Sequence, residues 1–268
     1  MRIARYRAGT ATLSGLVEDD VLHELEDGPF GRPRRTGRRD RLGDVTLLAP
    51  VVPPRVFGVG LNYLRHIAES GATAPEVPLL FMKPPTAVIG PGAPIPYPPE
   101  ARELHFEAEL AVVIGRAGRR IPVADSSAHV LGVTCANDVS ERVIQRAEMA
   151  QGALLVGKGY DGFCPLGPYI ATGLDTTGIR IGARVNGEVR QDSTTADLLF
   201  GVADLVAYLS RAITLLPGDV ILTGTPEGVG PIRPGDSVEV WVDGVGSLVN
   251  PVVPEDAAER AGEDERDS

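Results

Sequence analysis

Lysine is almost absent from this chain. Of its 26 basic residues only two are lysines, Lys83 and Lys158, and the rest are arginines. Cysteine is as scarce: Cys135 and Cys164 are too few to make a disulfide framework. No apolar run approaches the length of a membrane span, and the N-terminus lacks the apolar core of a secretion signal. Positive charge is in deficit. A net charge of −10 makes nucleic acid and anionic membrane poor partners. A soluble, cytoplasmic protein is therefore expected. With 268 residues and 43% hydrophobic content, the chain can bury a substantial core in one large domain, with or without a small appendage.

The lysine deficit directs attention to the two that remain. A bias of this kind reflects genome composition, with lysine replaced wherever arginine serves. A retained lysine then offers what a guanidinium cannot, a compact point charge with an adjustable pKa. Chance survival on the surface is the plain alternative. The settings Phe81-Met82-Lys83-Pro84-Pro85 and Gly157-Lys158-Gly159-Tyr160-Asp161 are not those of ordinary surface helices, which favours function.

Residues 1–52 read as a small N-terminal domain. Met1 to Tyr6 and Thr10 to Leu16 suggest short strands, and Gly28 to Arg41, dense in Gly, Pro and Arg, suggests a loop or mobile connection. Residues 53–254 form the main domain. Val56 to Gly60 reads as a strand, and Asn62 to Gly71 as a short helix stopped by Gly71. Val130 to Ala136 is a strand ending at Asn137-Asp138, followed by a helix from Glu141 to Gln151 that Ser140 can cap. Asn186-Gly187 and Asp243-Gly244 mark hairpins, and Val202 to Ile213 carries apolar residues at helical spacing. The charged tail 255–268 is expected to be disordered. Short strands, glycines and turns dominate, so the expected class is β-dominated α+β, as a barrel or two packed sheets.

Chemistry concentrates in His105 to Ile114, which reads as one strand. Glu107 and Glu109 then point the same way, roughly 7 Å apart along the chain. Adjacent carboxylates on one face need a cation between them, a proton on one, or open water. The apolar neighbours argue against water and for a divalent ion with oxygen ligands, Mg²⁺ first, with Mn²⁺ or Ca²⁺ as alternatives. The solvated face of a half-buried strand is the competing reading. Asp138, at the carboxyl end of a strand, is the best third ligand, and Gln145 could face the same cavity. His66 and Glu69, three apart on one helical face, suit a general base oriented by a carboxylate, or equally a solvated surface pair. The loop Gly224-Thr225-Pro226-Glu227-Gly228-Val229-Gly230 matches no nucleotide-binding fingerprint, though its N–H groups and threonine hydroxyl could hold a carboxylate.

Taken in order, Gly60-Leu61-Asn62-Tyr63 with His66 and Glu69, Phe81-Met82-Lys83-Pro84, Glu107-Ala108-Glu109-Leu110-Ala111, Asn137-Asp138-Val139-Ser140, Gly157-Lys158-Gly159-Tyr160-Asp161 and Leu222-Thr223-Gly224-Thr225-Pro226-Glu227-Gly228-Val229-Gly230 form a specific series over about residues 55–252. The chain resembles the fumarylacetoacetate hydrolase family, in its acylpyruvase and 2-hydroxyhepta-2,4-diene-1,7-dioate isomerase-like branch. The resemblance implies a mixed β-roll or barrel with a small N-terminal domain, usually a homodimer. It implies Mg²⁺ or Mn²⁺ on Glu107, Glu109 and Asp138. It makes His66 and Glu69 a water-activating dyad on a lid, with Lys158 acting on the substrate and Lys83, Gln145, Thr225, Gly224 and Tyr63 lining it. His105, Glu141 and Val143 depart from common family residues, and they flank the site, so they bear on substrate identity rather than on metal binding.

The implied activity is metal-dependent hydrolysis of a carbon–carbon bond in a 2,4-diketo acid, through an enolate. An isomerase, tautomerase or decarboxylase acting on a 2-oxo or 2-hydroxydienoic acid would use the same site. A non-catalytic small-acid-binding relative would have lost a ligand or the dyad, and all those positions are filled.

Overall fold

The computed structural model describes residues 1–258. The N-terminal segment builds five strands: β1 (Arg2–Ala8), β2 (Ala11–Glu18), β3 (Val21–Leu25), β4 (Arg35–Arg41) and β5 (Thr46–Leu48). The stretch expected to be a loop is therefore partly a strand. β4 pairs antiparallel with β3, and its polar side chains meet acidic partners that the linear pattern does not reveal, Arg35 with Glu18 and Thr36 Oγ1 with Glu24.

The main domain continues with β6 (Val56–Gly60), α1 (Leu64–Ser70), β7 (Leu79–Lys83), β8 (Val88–Ile89), β9 (Ile95–Tyr97), β10 (Leu104–Phe106), β11 (Ala108–Ile114), β12 (Val130–Asn137), β13 (Ser140–Glu141), α2 (Arg142–Met149) and α3 (Val156–Gly159). Then follow β14 (Cys164–Ala171), β15 (Arg180–Val185), β16 (Glu188–Thr194), α4 (Val202–Ser210), β17 (Val220–Leu222), β18 (Gly230–Pro231), β19 (Ser237–Val242) and β20 (Gly246–Pro254). Both hairpins expected from the sequence form, β15–β16 and β19–β20. Asn186 and Gly187 take φ of 53° and 82°, the left-handed pair that a two-residue turn matched to strand twist requires.

The largest sheet has the order β4-β3-β2-β1-β14-β12-β11-β17-β6-β7, with β5 on β1 and β8 on β14. It is mixed, since β17 and β6 run parallel while β11 pairs antiparallel with β12 and β17. A five-stranded sheet, β16-β15-β19-β20-β9, and a three-stranded one, β13-β10-β18, complete the fold. The sheets are open and pack face to face, and no closed barrel forms among the described residues.

β11 lies at the centre and is buried along its whole length. Leu110, Val112 and Ile114 point into the core shared with Ile181, Val240 and Leu248 of the five-stranded sheet. Ala111 and Val113 point into a second core with Val220, Leu222, Ile170, Ile3, Leu16 and Val51. This second core spans both segments, and Arg2 and Ile3 of β1 pair with Ala171 and Ile170 of β14, so the small N-terminal part is welded to the main sheet. Of the tail, residues 255–258 are helical, and the remaining residues expected to be disordered lie outside the described ones.

Candidate metal centre

Two departures from the sequence expectation shape the site. The strand read over His105 to Ile114 is broken at Glu107, with β10 joining the three-stranded sheet and β11 the large one. The break is held by Asn137, whose Oδ1 accepts the Glu107 N–H at 2.9 Å, and by the Glu107 carbonyl, which accepts the Asp138 N–H at 2.9 Å. The helix cap also differs. Glu141, not Ser140, caps α2 by accepting the Ile144 N–H at 2.6 Å, because it also collects the N–H groups of Arg102 and Glu103. Ser140 instead donates to the Asp138 carbonyl at 2.8 Å, stiffening the turn that presents Asp138.

Glu107, Glu109 and Asp138 converge. One oxygen from each lies within 4.8 Å of the others, and all three side chains are buried. Lys158 reaches between two of them, its Nζ donating to Asp138 Oδ2 at 2.6 Å and to Glu107 Oε2 at 2.7 Å. Lys83 Nζ donates to Asp138 Oδ1 at 2.5 Å and to the Val139 carbonyl at 3.1 Å, so it backs Asp138 from inside the core. Arg142 Nη1 lies 2.7 Å from Glu107 Oε1 and also donates to Gln145 Oε1 at 2.7 Å, which brings Gln145 to the edge of the cluster. Among the described residues Glu109 has only a backbone partner, the Gly224 N–H at 2.6 Å.

The electrostatics divide the trio. Burial alone would raise the Glu107 carboxyl, but Lys158 and Arg142 overcome it and hold the group well below the usual carboxylate range. Burial, with Asp138 and Glu107 as like-charged neighbours, pushes Glu109 well above that range. Burial would lower the Lys158 ammonium, but Asp138 and Glu107 keep it charged and raise it. Glu109 favours a proton because of its burial and its two acidic neighbours, and a hard divalent cation is what could take that proton's place. An all-carboxylate oxygen set suits Mg²⁺, Mn²⁺ or Ca²⁺.

Local structure explains how Lys158 arrives. Glu148, on α2, accepts the N–H groups of Leu155, Val156 and Gly157 at 3.2, 2.8 and 2.9 Å, fixing the start of α3. Gly157 lies against α2 so closely that a Cβ there would sit 2.6 Å from Gln145 N. Phe81 supports the ammonium from one side, with Nζ 5.1 Å from the ring centroid.

α1 covers this centre. Asp197 accepts the Arg65 N–H at 3.0 Å and so caps a helix that carries no cap of its own, while Gly71 ends it at φ 66°. The expected contact forms, with His66 Nδ1 3.1 Å from Glu69 Oε2. Glu69 also accepts the Gly228 N–H at 3.1 Å, tying the helix to the glycine-rich loop. His66 is near enough to help lower the Glu107 carboxyl. Tyr63 is fully buried, its hydroxyl has no hydrogen-bond partner among the described residues, and burial and the nearby Glu109 raise its pKa.

Three polar residues escaped the sequence reading: Arg142, Glu148 and Gln191. Arg142 is one of 24 arginines and nothing in composition separates it, although its spacing of three from Gln145 placed it on the same helical face. Glu148 and Gln191 act across chain distances that no local pattern reports.

Comparison with known proteins agrees with this geometry. The family model for fumarylacetoacetate (FAA) hydrolase C-terminal matches residues 55–253, and one for Rv2993c-like, N-terminal, matches residues 1–50. The structure of 5-carboxymethyl-2-hydroxymuconate delta-isomerase from Mycobacterium smegmatis superposes with a TM-score of 0.89 at 47% identity, covering 95% of this chain and 100% of that one. Maleylpyruvate hydrolase from Sphingobium sp. SYK-6, in complex with manganese(II) and pyruvate, gives a TM-score of 0.78 at 30% identity, covering 95% of this chain and 99% of that one. Oxaloacetate tautomerase FAHD2A, mitochondrial, of Bos taurus is 43% identical over 221 residues, 78% of this chain and 70% of its own length. With one family model spanning most of its length and these relatives alongside, the chain belongs to the fumarylacetoacetate hydrolase family.

Proposed function

We propose that the protein is a divalent-metal-dependent hydrolase that cleaves a carbon–carbon bond in a 2,4-diketo acid of the acylpyruvate class. The observation that carries the reading is the buried convergence of Glu107, Glu109 and Asp138. These residues would hold Mg²⁺ or Mn²⁺, which when bound acts as a Lewis acid on the 2-oxo group. Lys83, Lys158 and Arg142 already match three carboxylates in charge, so a divalent ion leaves two positive charges over. A substrate carboxylate together with an enolate supplies two negative ones.

The chain's own groups then do the following. Glu69 accepts a hydrogen bond from His66 Nδ1–H, which keeps that proton in place and leaves Nε2 as the basic nitrogen. His66 Nε2 takes a proton from water as the water oxygen adds to the C4 carbonyl. The C3–C4 bond breaks with its electrons passing to the pyruvyl fragment, and the acyl fragment leaves as a carboxylic acid. Lys158 stabilises the enolate charge, as an oxyanion hole does. The protonated His66 returns its proton to C3, giving pyruvate. Gln145, Thr225, Gly224 and Tyr63 line the substrate, and Lys83 steadies Asp138 from behind.

Isomerisation is the second reading. The similarity to a delta-isomerase at 47% identity and to an oxaloacetate tautomerase at 43% favours it. Here His66 would move a proton along the carbon skeleton without adding water. Decarboxylation of a 3-carboxy-2-oxo acid would use the same enolate. Mn²⁺-loaded protein, given acetylpyruvate, oxaloacetate and a 2-hydroxydienoate in turn and followed by ultraviolet absorbance and proton NMR, separates these. Acetate and pyruvate in equal amounts from acetylpyruvate support the hydrolase. Enol–keto interconversion without fragmentation replaces it by the isomerase, and carbon dioxide from oxaloacetate alone by the decarboxylase.

The proposal extends to a cytoplasmic homodimer. The acidic chain and two free buried cysteines suit a reducing compartment. Exposed Met82, Leu155 and Val156 border a groove of about 570 Å³ with Pro84 and Pro85, an apolar surface suited to a second copy. Light scattering reads the mass directly.

A further inference from the structure

Gln191 lies on β16, in the five-stranded sheet, yet its side chain ends beside the metal centre, between Ala108 and the glycine-rich loop. It is 1% exposed. Its Oε1 accepts the Ala108 N–H at 2.9 Å, and its Nε2 donates to the Pro226 carbonyl at 2.8 Å and to Thr225 Oγ1 at 2.9 Å. Ala108 is the residue between Glu107 and Glu109. Thr225 directly follows Gly224, whose N–H is bonded to Glu109. One amide therefore bridges the segment that carries Glu107 and Glu109 and the loop that holds Glu109 through Gly224.

The chemistry of the partners fixes how this amide is turned. A backbone N–H can only donate, so the atom facing Ala108 is the amide oxygen. A carbonyl can only accept, so the group facing Pro226 is the NH₂. Thr225 Oγ1 must then accept from that NH₂. A hydroxyl has a single proton, and with the NH₂ on one side that proton cannot point back toward Gln191. Among the described residues it donates to no protein acceptor, although Thr225 is only 5% exposed. A nearly buried hydroxyl with an uncommitted proton calls for an acceptor oxygen.

We propose that Gln191 is a positioning residue that makes Thr225 an obligate hydrogen-bond donor to the ligand, and so selects for an acceptor oxygen, a carboxylate or carbonyl, at that position. This deepens the functional reading above and rests on it. The selection works by exclusion as well as attraction. A ligand that presents an N–H or O–H donor there would face a hydroxyl whose lone pair already receives Nε2.

Oxalate, two carboxylates without a cleavable bond, is the probe, measured by calorimetry on Mn²⁺-loaded protein. Gln191→Glu replaces the NH₂ by an acceptor and turns the Thr225 proton inward. Gln191→Met keeps the volume, removes both polar groups, and serves where a buried carboxylate prevents folding. Loss of a hydrogen bond to a charged oxygen weakens binding by roughly ten- to hundredfold. The expected result is a weakening of at least about tenfold in Gln191→Glu and Thr225→Val, less in Gln191→Met, and near wild-type binding in Thr225→Ser. Gln191→Met combined with Thr225→Val should bind oxalate no more weakly than Thr225→Val alone, because both act through one hydroxyl. Mn²⁺ affinity should move less than about twofold in Gln191→Met, Thr225→Val and Thr225→Ser, the margin within which independent sites behave additively. A Gln191 variant that binds oxalate like wild type while Thr225→Val does not overturns the inference. So does a variant that loses oxalate and Mn²⁺ in equal proportion, which marks a purely structural role. Wild type that holds Mn²⁺ but not oxalate sinks the functional reading itself.

Discussion

Replacing Lys158 by methionine should destabilise the metal-free protein and tighten its hold on a divalent cation, two effects of opposite sign from one change. Lys158 Nζ contacts Glu107 Oε2 at 2.7 Å and Asp138 Oδ2 at 2.6 Å, and its side chain is 4% exposed. Removing one partner of a buried ion pair costs about 3–5 kcal/mol, because the remaining charge is left without compensation. Asp138 keeps Lys83 and Glu107 keeps Arg142, so the lower end, about 3 kcal/mol, applies. For a chain of this size that lowers Tm by about 6–12 °C. In the wild type a metal ion enters a site whose carboxylates already have a cation, whereas in Lys158→Met it replaces that cation. Added Mn²⁺ should therefore raise the variant's Tm more than the wild type's, by mass action on the folded state. Turnover should fall by about 10²–10³, the loss typical of an oxyanion donor. The pH dependence has a definite sign. Lys158 helps hold the Glu107 carboxyl below its usual range, so the stability it contributes is present above the unfolded carboxyl pKa and is lost as pH falls through the folded one. The Tm gap between the two proteins should hold from neutral pH down to about pH 4 and narrow below it. Scanning fluorimetry with and without Mn²⁺ at neutral pH, and without it down to about pH 2, reads all of this. An unchanged metal-free Tm together with weaker Mn²⁺ binding would refute the reasoning.

Three further outcomes follow from the same geometry. Because burial and its acidic neighbours hold Glu109 well above the carboxylate range, metal binding should expel a proton and strengthen as pH rises, seen as buffer-dependent heats in calorimetry; Glu109→Gln should abolish that dependence and weaken Mn²⁺ binding by at least about a hundredfold. His66→Ala should lower acylpyruvate cleavage by about 10²–10⁴ while leaving Mn²⁺ calorimetry unchanged, and cleavage that persists removes the histidine from the chemistry. Gly58→Ala places a methyl 2.2–2.6 Å from the Phe81 ring that supports Lys158, so it should cost about 1–3 kcal/mol in urea unfolding and slow turnover.

Much of this centre was legible because its parts are local. The Glu107 and Glu109 pair, the three-residue spacing of His66 and Glu69, the strand end at Asp138 and the scarcity of lysine each need only a short window of chain. The Asn186-Gly187 hairpin is legible for the same reason, since two left-handed residues define the turn. What stayed hidden depends on pieces far apart in sequence. β4 reads as a loop because Arg35 and Thr36 find their acidic partners, Glu18 and Glu24, only once β2 and β3 fold beside it. The break at Glu107 is imposed by Asn137, thirty residues on. Asp197 caps α1 from 132 residues away, and Gln191 spans 83 residues to Ala108. Ser140 was a sound choice of cap by residue type, but Glu141 satisfies three N–H groups where serine satisfies one.

The seam between β1 and β14 sets a limit on how this molecule can be taken apart. Two family models meet near residue 50, yet Ile3, Leu16, Ala49 and Val51 share one apolar interior with Val113, Leu166 and Ile170. Excising the first fifty residues would bare that interior and leave the end of β14 open to pairing with any passing chain. The boundary between the two family matches is thus not a joint in folding: the segments should melt in a single transition, and a main-domain fragment cut there should clump before it could be assayed.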